Sequence, residues 1–411
     1  MNESDNKKMK IVLVTTGQPS INPRIVKEAE ALSYAGHDVT MLYCHWITWA
    51  DESDKAIIEN AKWKAILVGG SPTKQRTKFY YTKLRFKIYR FLNKRNFRKF
   101  QVAEKAQARC YTELLKVASS IKADIFIGHN LGALPVVVNA AEAQKVKCGF
   151  DFEDYHRGEV KQMNAHDIKR IISLEEKYIP RCQYLSFASP LIMQRVLQNF
   201  PAYGGKTSVI YNCFPLIETA LQNLPACNTL KLFWFSQTVG ADRGLITALL
   251  ALKLLNDPSI ELTLIGNAST EIQRDFRAIL EGSEVVLHFK GVVTPAEIDD
   301  FAANSDIGLA LETGFSENNN IALSNKIFTY LSAGNAIIFS NTNAQKDFCT
   351  EYGAGLLFRS GDANDFLRCL QSYLKPETLV AQKMHNKKLA EKQFNWELES
   401  RKLLDIIHES L

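Results

Sequence analysis

The chain alternates short apolar runs with longer amphipathic stretches. Residues 10–16 form a β-rich run that ends at Gly17, and a helical period over 24–35 follows and ends at Gly36. The next strand-like run covers 37–43. This order predicts a βαβ unit, which sets strands parallel and gathers their carboxyl ends, where ligands bind, at one edge of a sheet.

The same alternation continues through the first half and begins again near residue 230. In the first half, the pattern predicts strands at 124–128 and 147–152 and helices at 136–144 and 159–178. In the second half it predicts strands at 230–236, 260–265, 285–289, 307–311 and 336–340, separated by helices at 245–255, 271–280, 295–303 and 325–333. Strands and helices alternating at this spacing predict an α/β fold with two doubly wound, Rossmann-like domains.

The domain boundaries follow from the interruption between the halves. We predict an N-terminal domain at 1–213, a linker at 214–228 and a C-terminal domain at 229–393. A last helix within 394–411 has no strand after it and is expected to return to the N-terminal domain. Two such domains on one linker are expected to face a cleft, which is the default ligand site.

Composition narrows the classes of function. With 411 residues, 46% hydrophobic and 23% charged, the sequence is not that of a disordered chain, and it has no apolar run of membrane-spanning length. The first ten residues lack the apolar stretch of a signal peptide, and the eight cysteines form no CxxC pair, which predicts reduced thiols in the cytoplasm. Neither GxGxxG nor GxxxxGK[ST] occurs, which disfavours a dinucleotide or P-loop enzyme.

The net charge of +6 is concentrated in one segment. Residues 74–100 hold eleven Lys or Arg and no acid, so the rest of the chain carries −5. On a helix, one face would hold Leu84, Ile88, Phe91 and Leu92 and another the cations Lys83, Lys87, Arg90 and Lys94. A basic amphipathic helix with aromatics is typical of attachment to an anionic membrane. RNA is a rival partner that no motif supports, so we predict no nucleic acid; a solvated helix packed on the domain stays open.

Two basic residues mark a candidate anion site in the second half. Arg243 stands at the start of the first helix, and Lys326 lies in the first turn of the helix that Ser324 is expected to cap. A cation there opposes the helix dipole unless an anion is held between it and the free N–H groups. Together they predict a diphosphate site, where fixed donors stabilise the charge on a leaving group. The alternatives are a surface lysine and an Arg243–Asp242 pair.

These motifs resemble the C-terminal domain of GT-B glycosyltransferases, in particular the nucleotide-sugar transferases of glycosyltransferase family four. The resemblance rests on Arg243-Gly-Leu and on residues 262–266, 286–291, 305–309 and 324–334. In the N-terminal half, Asn22-Pro-Arg24 and residues 36–40 are similar to that family's opening βαβ unit, and Gly128-His-Asn130 and residues 149–154 to its later strand ends. Residues 210–212 resemble the strand that closes the N-terminal domain.

The resemblance implies transfer of a sugar from a nucleoside diphosphate donor on the C-terminal domain to an acceptor on the N-terminal domain. It implies retention of the anomeric configuration, no metal and no cofactor besides the donor, which is a substrate. It implies donor contacts by Arg243, Gly266, Gly314, Phe315, Asn325, Lys326 and Thr329, catalytic positions at His129 and Glu317, and acceptor-side positions at Gly17, Arg24, Asn130 and Asp154. For His129, a structural histidine at a strand end is an equal alternative.

The sequence departs from the family's pattern at the nucleotide. Thr329 stands where the family has a glutamate, and Ile321 stands at the partner position eight residues earlier. A glutamate accepts two hydrogen bonds from a ribose diol, whereas threonine offers a single hydroxyl. The family usually has a further arginine before Arg243. This chain lacks it and has Gln237 and Thr238 in that region. This predicts rearranged or weaker donor binding, or a different nucleotide.

We therefore expect a cytoplasmic glycosyltransferase, attached peripherally to the inner face of the membrane, that extends a lipid-linked glycan in polysaccharide or glycolipid synthesis. A nucleotide-sugar epimerase of GT-B-like fold and a degenerate protein that binds glycan or lipid without turnover stay open. The two α/β halves disfavour a carboxylate metal site at 151–154. His156, and His45 with Trp46 and Trp49, lack partners at metal-ligand spacing and are interpreted as lining the cleft or as structural.

Overall fold

The computed structural model describes residues 8–95, 97, 99–217 and 229–410, which form two compact units. Unit 1 contains the chain up to Ile210 and again from Ser400 onward, and unit 2 contains Tyr211–Glu399. Most of the linker predicted at 214–228 lies outside the described residues. Each unit builds its own parallel sheet, so the predicted fold class of two Rossmann-like α/β domains is confirmed.

Unit 1 holds seven parallel strands in the order β3-β2-β1-β4-β5-β6-β7. The strand order switches at β1 and β4: from β1 the chain adds β2 and β3 on one side, then returns to add β4 and the later strands on the other side. This switch point creates a crevice at the carboxyl ends of β1 and β4. The central strands are buried on both faces, which is why they read as continuous apolar runs. The strands are β1 Lys10–Thr15, β2 Asp38–Cys44, β3 Lys64–Val68, β4 Ile125–His129, β5 Lys147–Phe152, β6 Tyr184–Phe187 and β7 Lys206–Val209.

Eight helices connect these strands. Several begin at an asparagine or serine whose side chain accepts a hydrogen bond from the first turn, as Ser189 does for the last of them. The helices are α1 Pro23–Tyr34, α2 Asp51–Asn60, α3 Arg76–Lys94, α4 Val102–Gln107, α5 Tyr111–Ser120, α6 Leu134–Gln144, α7 Ala165–Tyr178 and α8 Pro190–Asn199. Within the described chain, no helix is both long and apolar enough to cross a membrane.

Unit 2 repeats the architecture with six parallel strands in the order β10-β9-β8-β11-β12-β13. These are β8 Leu230–Thr238, β9 Ile260–Asn267, β10 Val286–Phe289, β11 Ile307–Ala310, β12 Ala336–Ser340 and β13 Leu356–Phe358. Its helices are α9 Leu245–Leu255, α10 Thr270–Ile279, α11 Pro295–Ala303, α12 Glu317–Ile321, α13 Asn325–Ala333, α14 Asn343–Tyr352, α15 Ala363–Tyr373 and α16 Pro376–Lys392. Residues such as Trp234, Leu249, Leu262 and Ile338 form its core.

The last helix, α17 Trp396–Ser410, passes from one unit into the other. Its residues from Ser400 onward belong to unit 1. There the His408 ring meets the edge of His37 at 6.1 Å between centroids, and Glu409 Oε2 lies 3.2 Å from Lys206 Nζ.

Two predicted elements are wrong. The helix predicted at 159–178 begins only at Ala165, because Asn164 Oδ1 caps it by accepting from Asp167 N at 2.9 Å. The closing strand of unit 1 ends at Val209 rather than spanning 210–212. Beyond it, the Ile210 carbonyl accepts from Arg24 Nη1 and the Tyr211 N–H donates to Glu399, so side chains take the groups that a strand would pair.

The sequence pattern also missed β3, β6, β7 and β13. These strands have only three to five residues each, too few to show a clear period. The seven described cysteines are all buried and form no disulfide, while Cys227 lies outside the described residues.

Gly149 gives a test of the packing in unit 1. A Cβ at this position would lie 2.0 Å from the ring of buried Tyr184, so Gly149→Ala should lower the free energy of unfolding by about 1–3 kcal/mol. Gly204→Ala is the matched control because nothing lies within 4 Å of its added methyl group. Urea unfolding followed by fluorescence measures both, and equal midpoints would contradict the close packing of β5 on β6.

Candidate functional site

The carboxyl ends of β1 and β4 are tied together by Asn130. Its Oδ1 accepts from Thr16 Oγ1 at 2.6 Å and its Nδ2 donates to Thr15 Oγ1 at 2.8 Å. Thr15 Oγ1 also accepts from Gly17 N at 3.1 Å. Asn130 has a φ of 59°, which asparagine tolerates better than most residues. Two of the predicted acceptor-side residues, Gly17 and Asn130, therefore meet at the crevice of the unit 1 sheet.

Arg24 is fully buried in the first turn of α1. Its Nε and Nη2 each donate to an oxygen of Asp151 at 2.7 Å, and its Nη1 donates to the Ile210 carbonyl at 2.8 Å. Ser186 Oγ donates to Asp151 Oδ1 at 2.6 Å. Burial alone would raise the pKa of Asp151, but the guanidinium of Arg24 outweighs it and holds that pKa below its ordinary value. Arg24 was predicted on the acceptor side; its observed partners are all protein groups.

His129 lies at the end of β4 between two buried carboxylates. Its Nε2 is 3.1 Å from Glu28 Oε2 and its Nδ1 is 3.6 Å from Asp151 Oδ2. Burial would lower the pKa of His129, yet Glu28 and Asp151 together raise it above its ordinary value. Both carboxylates therefore favour the protonated form of the ring.

Glu28 is the member of this cluster that the sequence analysis missed. The i, i+4 spacing of Arg24 and Glu28 on α1 was its only signal. The ligand atoms of Glu28, His129 and Asp151 lie within 4.8 Å of one another, a spacing that suits a metal ion. The Arg24 guanidinium, however, already lies 3.6 Å from Glu28 Oε1 and 2.7 Å from Asp151 Oδ1, so a protein cation is paired with both carboxylates.

Glu153 and the predicted Asp154 follow directly after β5. Both are half-buried. Burial, and after it the neighbouring Asp154 carboxylate, raise the pKa of Glu153 to about 7. A carboxyl group with this pKa exchanges its proton near neutral pH, which suits it to accept or donate a proton at this strand end.

The loop between β2 and α2 is fixed by the buried side chain of Gln18. Its Oε1 accepts from Trp46 N at 2.7 Å and from Ile47 N at 2.6 Å. Its Nε2 donates to Asp51 Oδ1 at 3.1 Å and to Asp54 Oδ2 at 2.6 Å. Gln18 was not predicted as a site residue; its place directly after Gly17 at the end of β1 was the available signal.

In unit 2, Lys326 lies in the first turn of α13 as predicted and is paired with an acid. Its Nζ is 3.2 Å from Glu312 Oε1 and lies 5.6 Å from the ring centroid of Trp234. The Ser324 hydroxyl does not cap the helix; it accepts instead from Lys326 Nζ at 3.2 Å. Burial would raise the pKa of Glu312, but the ammonium of Lys326 holds it below its ordinary value.

Arg243 lies on a 3-10 turn, Ala241–Arg243, before α9. The prediction that it opens the helix is wrong, because Gly244 intervenes with a φ of 76° and packs its backbone against Leu311. Arg243 Nη2 donates to Thr238 Oγ1 at 3.4 Å and its Nε is 3.9 Å from Asp242 Oδ1. Since β8 and β11 are neighbours, Arg243 after β8 and Glu312 after β11 share one edge of the sheet.

Gly314, another of the predicted donor residues, is linked to Glu312 through Asn319. Gly314, with a φ of 65°, donates its N–H to Asn319 Oδ1 at 2.7 Å, and Asn319 Nδ2 donates to Glu312 Oε2 at 2.9 Å. The loop is thus folded onto the acid that pairs with Lys326. Phe315 on this loop is about half exposed, and Glu317 begins α12.

Three further predicted donor residues lie at the start of a helix, inside that helix and near the end of a strand. Asn325 begins α13, and Thr329, further along this helix, is only 3% exposed. Gly266 is the next-to-last residue of β9 and has a φ of 138°; an added Cβ would lie 2.3 Å from the Ser236 carbonyl oxygen. Only glycine fits there, which accounts for the strand-end glycine in the sequence.

The basic helix α3 presents its apolar side chains to solvent. Tyr80, Tyr81, Leu84, Ile88 and Phe91 are each at least half exposed, and at helical spacing they form one stripe. Lys83, Lys87 and Lys94 are exposed along one side of this stripe. The fourth predicted cation, Arg90, is instead paired with Asp167 at 3.3 Å. We call these exposed residues the α3 surface.

A cavity of about 220 Å³ in unit 1 lies among helices and away from the strand ends. Three of its charged lining residues have partners: Lys177 Nζ is 2.6 Å from Glu104 Oε1, and Arg170 Nε donates to Gln107 at 2.9 Å. None of the described residues predicted for the donor or acceptor lines it.

The pH dependence of stability tests the environment of Glu153. Its pKa rises from an ordinary 4.5 to about 7 on folding, so wild-type stability is lost as pH rises through this range. Glu153→Gln should remove that loss and gain about 1–3 kcal/mol over wild type between pH 4.5 and pH 8. Urea unfolding at both pH values measures it.

Glu159→Gln provides a control of opposite sign. Burial opposes ionisation of Glu159, but His156 at 2.5 Å outweighs it and lowers its pKa. The free energy of unfolding of Glu159→Gln should therefore fall relative to that of the wild type as pH rises, because the wild-type carboxylate ionises and pairs with His156. A pH-independent effect of Glu153→Gln would contradict the raised pKa.

The sequence matches no family model and no curated protein. Among solved structures, HepE from Anabaena in complex with UDP and glucose is 14% identical, with a TM-score of 0.68 over 98% of this chain and 100% of its own. Sucrose-phosphate synthase from Thermosynechococcus elongatus is 14% identical, with a TM-score of 0.70 over 98% and 99%. The lipopolysaccharide outer core galactosyltransferase WaaB is 12% identical, with a TM-score of 0.62 over 98% and 100%. At these identities the likeness shows the fold, which is the GT-B fold of glycosyltransferases.

Proposed function

We propose that the protein is a glycosyltransferase that moves a sugar from a nucleoside diphosphate donor to an acceptor. The observation that carries the proposal is the placement of Arg243 and the Lys326–Glu312 pair at the carboxyl ends of adjacent strands of unit 2. The GT-B fold supports it. HepE was solved with UDP and with UDP-glucose, so uridine donors are the first to test.

Arg243 and Lys326 supply the positive charge in this proposal. Arg243 has only long contacts, at 3.4 and 3.9 Å, so its guanidinium exchanges them for phosphate oxygens at little cost. A diphosphate carries more negative charge than the single Glu312 carboxylate and competes with it for Lys326. These cations stabilise the charge that gathers on the leaving nucleoside diphosphate, so the proposed reaction needs no metal.

The nucleotide and sugar contacts are proposed around the loop that Glu312 begins. Gly314, Phe315 and Glu317 are proposed to contact the donor sugar, with Asn325 and Gly266 beside the phosphates. Because Thr329 is buried and offers one hydroxyl, we propose that the ribose is held differently than by a paired glutamate.

Unit 1 is proposed to bind the acceptor at the crevice between β1 and β4. Gly17, Asn130 and Asp154 follow the carboxyl ends of β1, β4 and β5, and Arg24 ties α1 to β5 through Asp151. We propose that the His129 imidazolium stands beside the reacting sugar and that the anomeric configuration is retained. Glu153, with a pKa near 7, is proposed to relay the acceptor's proton.

We propose further that the acceptor is a lipid-linked glycan and that the enzyme works at the cytoplasmic face of a membrane. The α3 surface supports this, because an apolar stripe flanked by lysines suits the boundary between headgroups and acyl chains. The exposed aromatic rings of Tyr80, Tyr81 and Phe91 suit the same boundary.

An activity assay tests the proposed function. The purified protein is incubated with UDP-sugars, with and without a membrane extract as acceptor, and the release of UDP and the incorporation of sugar are measured. Transfer, or slow donor hydrolysis, supports the proposal. Epimerisation of the donor without acceptor indicates the epimerase, and the absence of any turnover with retained binding indicates a degenerate binding protein.

Arg243→Ala and Lys326→Ala should each weaken UDP binding by about 1.5–3 kcal/mol while uridine binding barely changes, because each removes a charge-assisted phosphate contact. Titration calorimetry measures both ligands. Arg274→Ala is the matched control, since Arg274 is also a surface arginine paired with its neighbouring aspartate in unit 2. Unchanged UDP affinity in both variants would remove the proposed donor site.

Replacing Lys83, Lys87 and Lys94 by Glu should abolish sedimentation with anionic vesicles, because each lysine at such a surface contributes about 1 kcal/mol. Donor hydrolysis should persist, since the donor site is in unit 2. The control variant carries Glu at Lys116, Lys122 and Lys147, which are exposed elsewhere on unit 1. If the wild-type protein ignores anionic vesicles at low salt, the membrane proposal is wrong.

A further inference from the structure

The loop between β2 and α2 exposes two tryptophans. Of the five in the chain, Trp63, Trp234 and Trp396 are buried, whereas Trp46 and Trp49 are 67% and 61% exposed. An indole carries a large apolar face, and leaving two of them in water three residues apart is unfavourable unless something covers them. The pair therefore marks a binding surface.

The loop that carries them is held rigid. The Gln18 amide uses both of its donors and both acceptor sites within this segment, on Trp46, Ile47, Asp51 and Asp54. The preceding residue, His45, is held at its carbonyl by Arg109 Nη2 at 3.0 Å and at its Nε2 by Asp51 at 3.1 Å. A surface fixed in this way loses little conformational freedom when a ligand binds.

The loop lies at the ligand-binding edge of the sheet. It follows the carboxyl end of β2, and Gln18 connects it to the carboxyl end of the neighbouring β1, one residue after Gly17. In parallel α/β sheets this edge is where ligands bind.

The negative charges beside the two tryptophans indicate which class of ligand this surface would bind. Asp51, Glu52 and Asp54 make up the acidic first turn of α2 beside the tryptophans, and Asp51 and Glu52 are reached by solvent. Carboxylates repel an anionic lipid surface or a phosphate, in contrast to the lysines of the α3 surface. They accept hydrogen bonds from hydroxyl groups, and an indole face packs on the C–H face of a pyranose ring.

We propose that Trp46 and Trp49 form a stacking platform for uncharged sugar rings of the acceptor glycan, with Asp51 and Glu52 accepting hydrogen bonds from its hydroxyl groups. This inference rests on the proposed function, in which the acceptor is a carbohydrate. It assigns acceptor recognition to residues that neither touch the donor nor take part in bond making.

Binding of the full-length protein to a printed glycan array, followed by titration of the strongest binder, tests the platform. Trp46→Ala and Trp49→Ala should each weaken binding about tenfold, and Trp46→Phe should restore most of it. Tyr34→Ala is the matched control, because Tyr34 is an exposed aromatic elsewhere on unit 1. Since the other three tryptophans are buried, the glycan should also protect the wild-type fluorescence from acrylamide quenching.

The inference is overturned if the wild-type protein binds no glycan on the array. It is also overturned if the variant that combines Trp46→Ala and Trp49→Ala binds glycan as well as the wild type does. It is also overturned if that variant loses binding to anionic vesicles while its glycan binding is unchanged, since the loop would then belong to the membrane face. UDP affinity, measured in parallel, separates the two proposals. Glycan binding without UDP binding would reject the transferase and keep the platform.

Discussion

The Arg24 guanidinium has no exposure to solvent, so the protein must supply all of its partners. Those partners come from α1, β5 and the segment after β7, and through Glu28 and Asp151 the same network reaches His129 on β4. Removing one member of such a cluster leaves an uncompensated charge, which typically costs about 3–5 kcal/mol. The strand ends of unit 1 are therefore fixed by electrostatics as well as by apolar packing.

In unit 2, the sheet edge that carries the predicted donor residues holds the Glu312–Lys326 ion pair rather than a buried network like that of Arg24. Glu312 and Lys326 neutralise each other at a sheet edge, and Asn319 and Ser324 complete their hydrogen bonds. The two units differ in how their charged side chains are held. In unit 1 the charges are enclosed by the protein, whereas in unit 2 Arg243, the proposed phosphate contact, makes contacts of 3.4 and 3.9 Å at the sheet edge that also carries Glu312.

The alternation of strands and helices was readable because parallel strands are buried on both faces, so both Rossmann-like domains followed from the sequence. Lys326 and Gly266 were readable because helix starts and positive φ values restrict residue type. Glu28 as the partner of His129, Glu312 as the partner of Lys326, and Gln18 were not, because these partners lie 14 to 101 positions away and only the fold brings them together. The sequence left open whether Leu84, Ile88 and Phe91 face a membrane or pack on the domain, since an apolar stripe has the same period in both cases; the structure shows them exposed.

Because residues from Ser400 onward belong to unit 1, that unit is assembled from the two ends of the chain. During synthesis at about 5–20 residues per second, the 189 residues between Ile210 and Ser400 take roughly 10–40 s to emerge. For that interval the first unit lacks the buried residues Leu403, Ile406 and Ile407 of its last helix, which are synthesised only after the whole of unit 2. Unit 1 is thus begun first and completed last, and chaperone dependence is expected to concentrate on it.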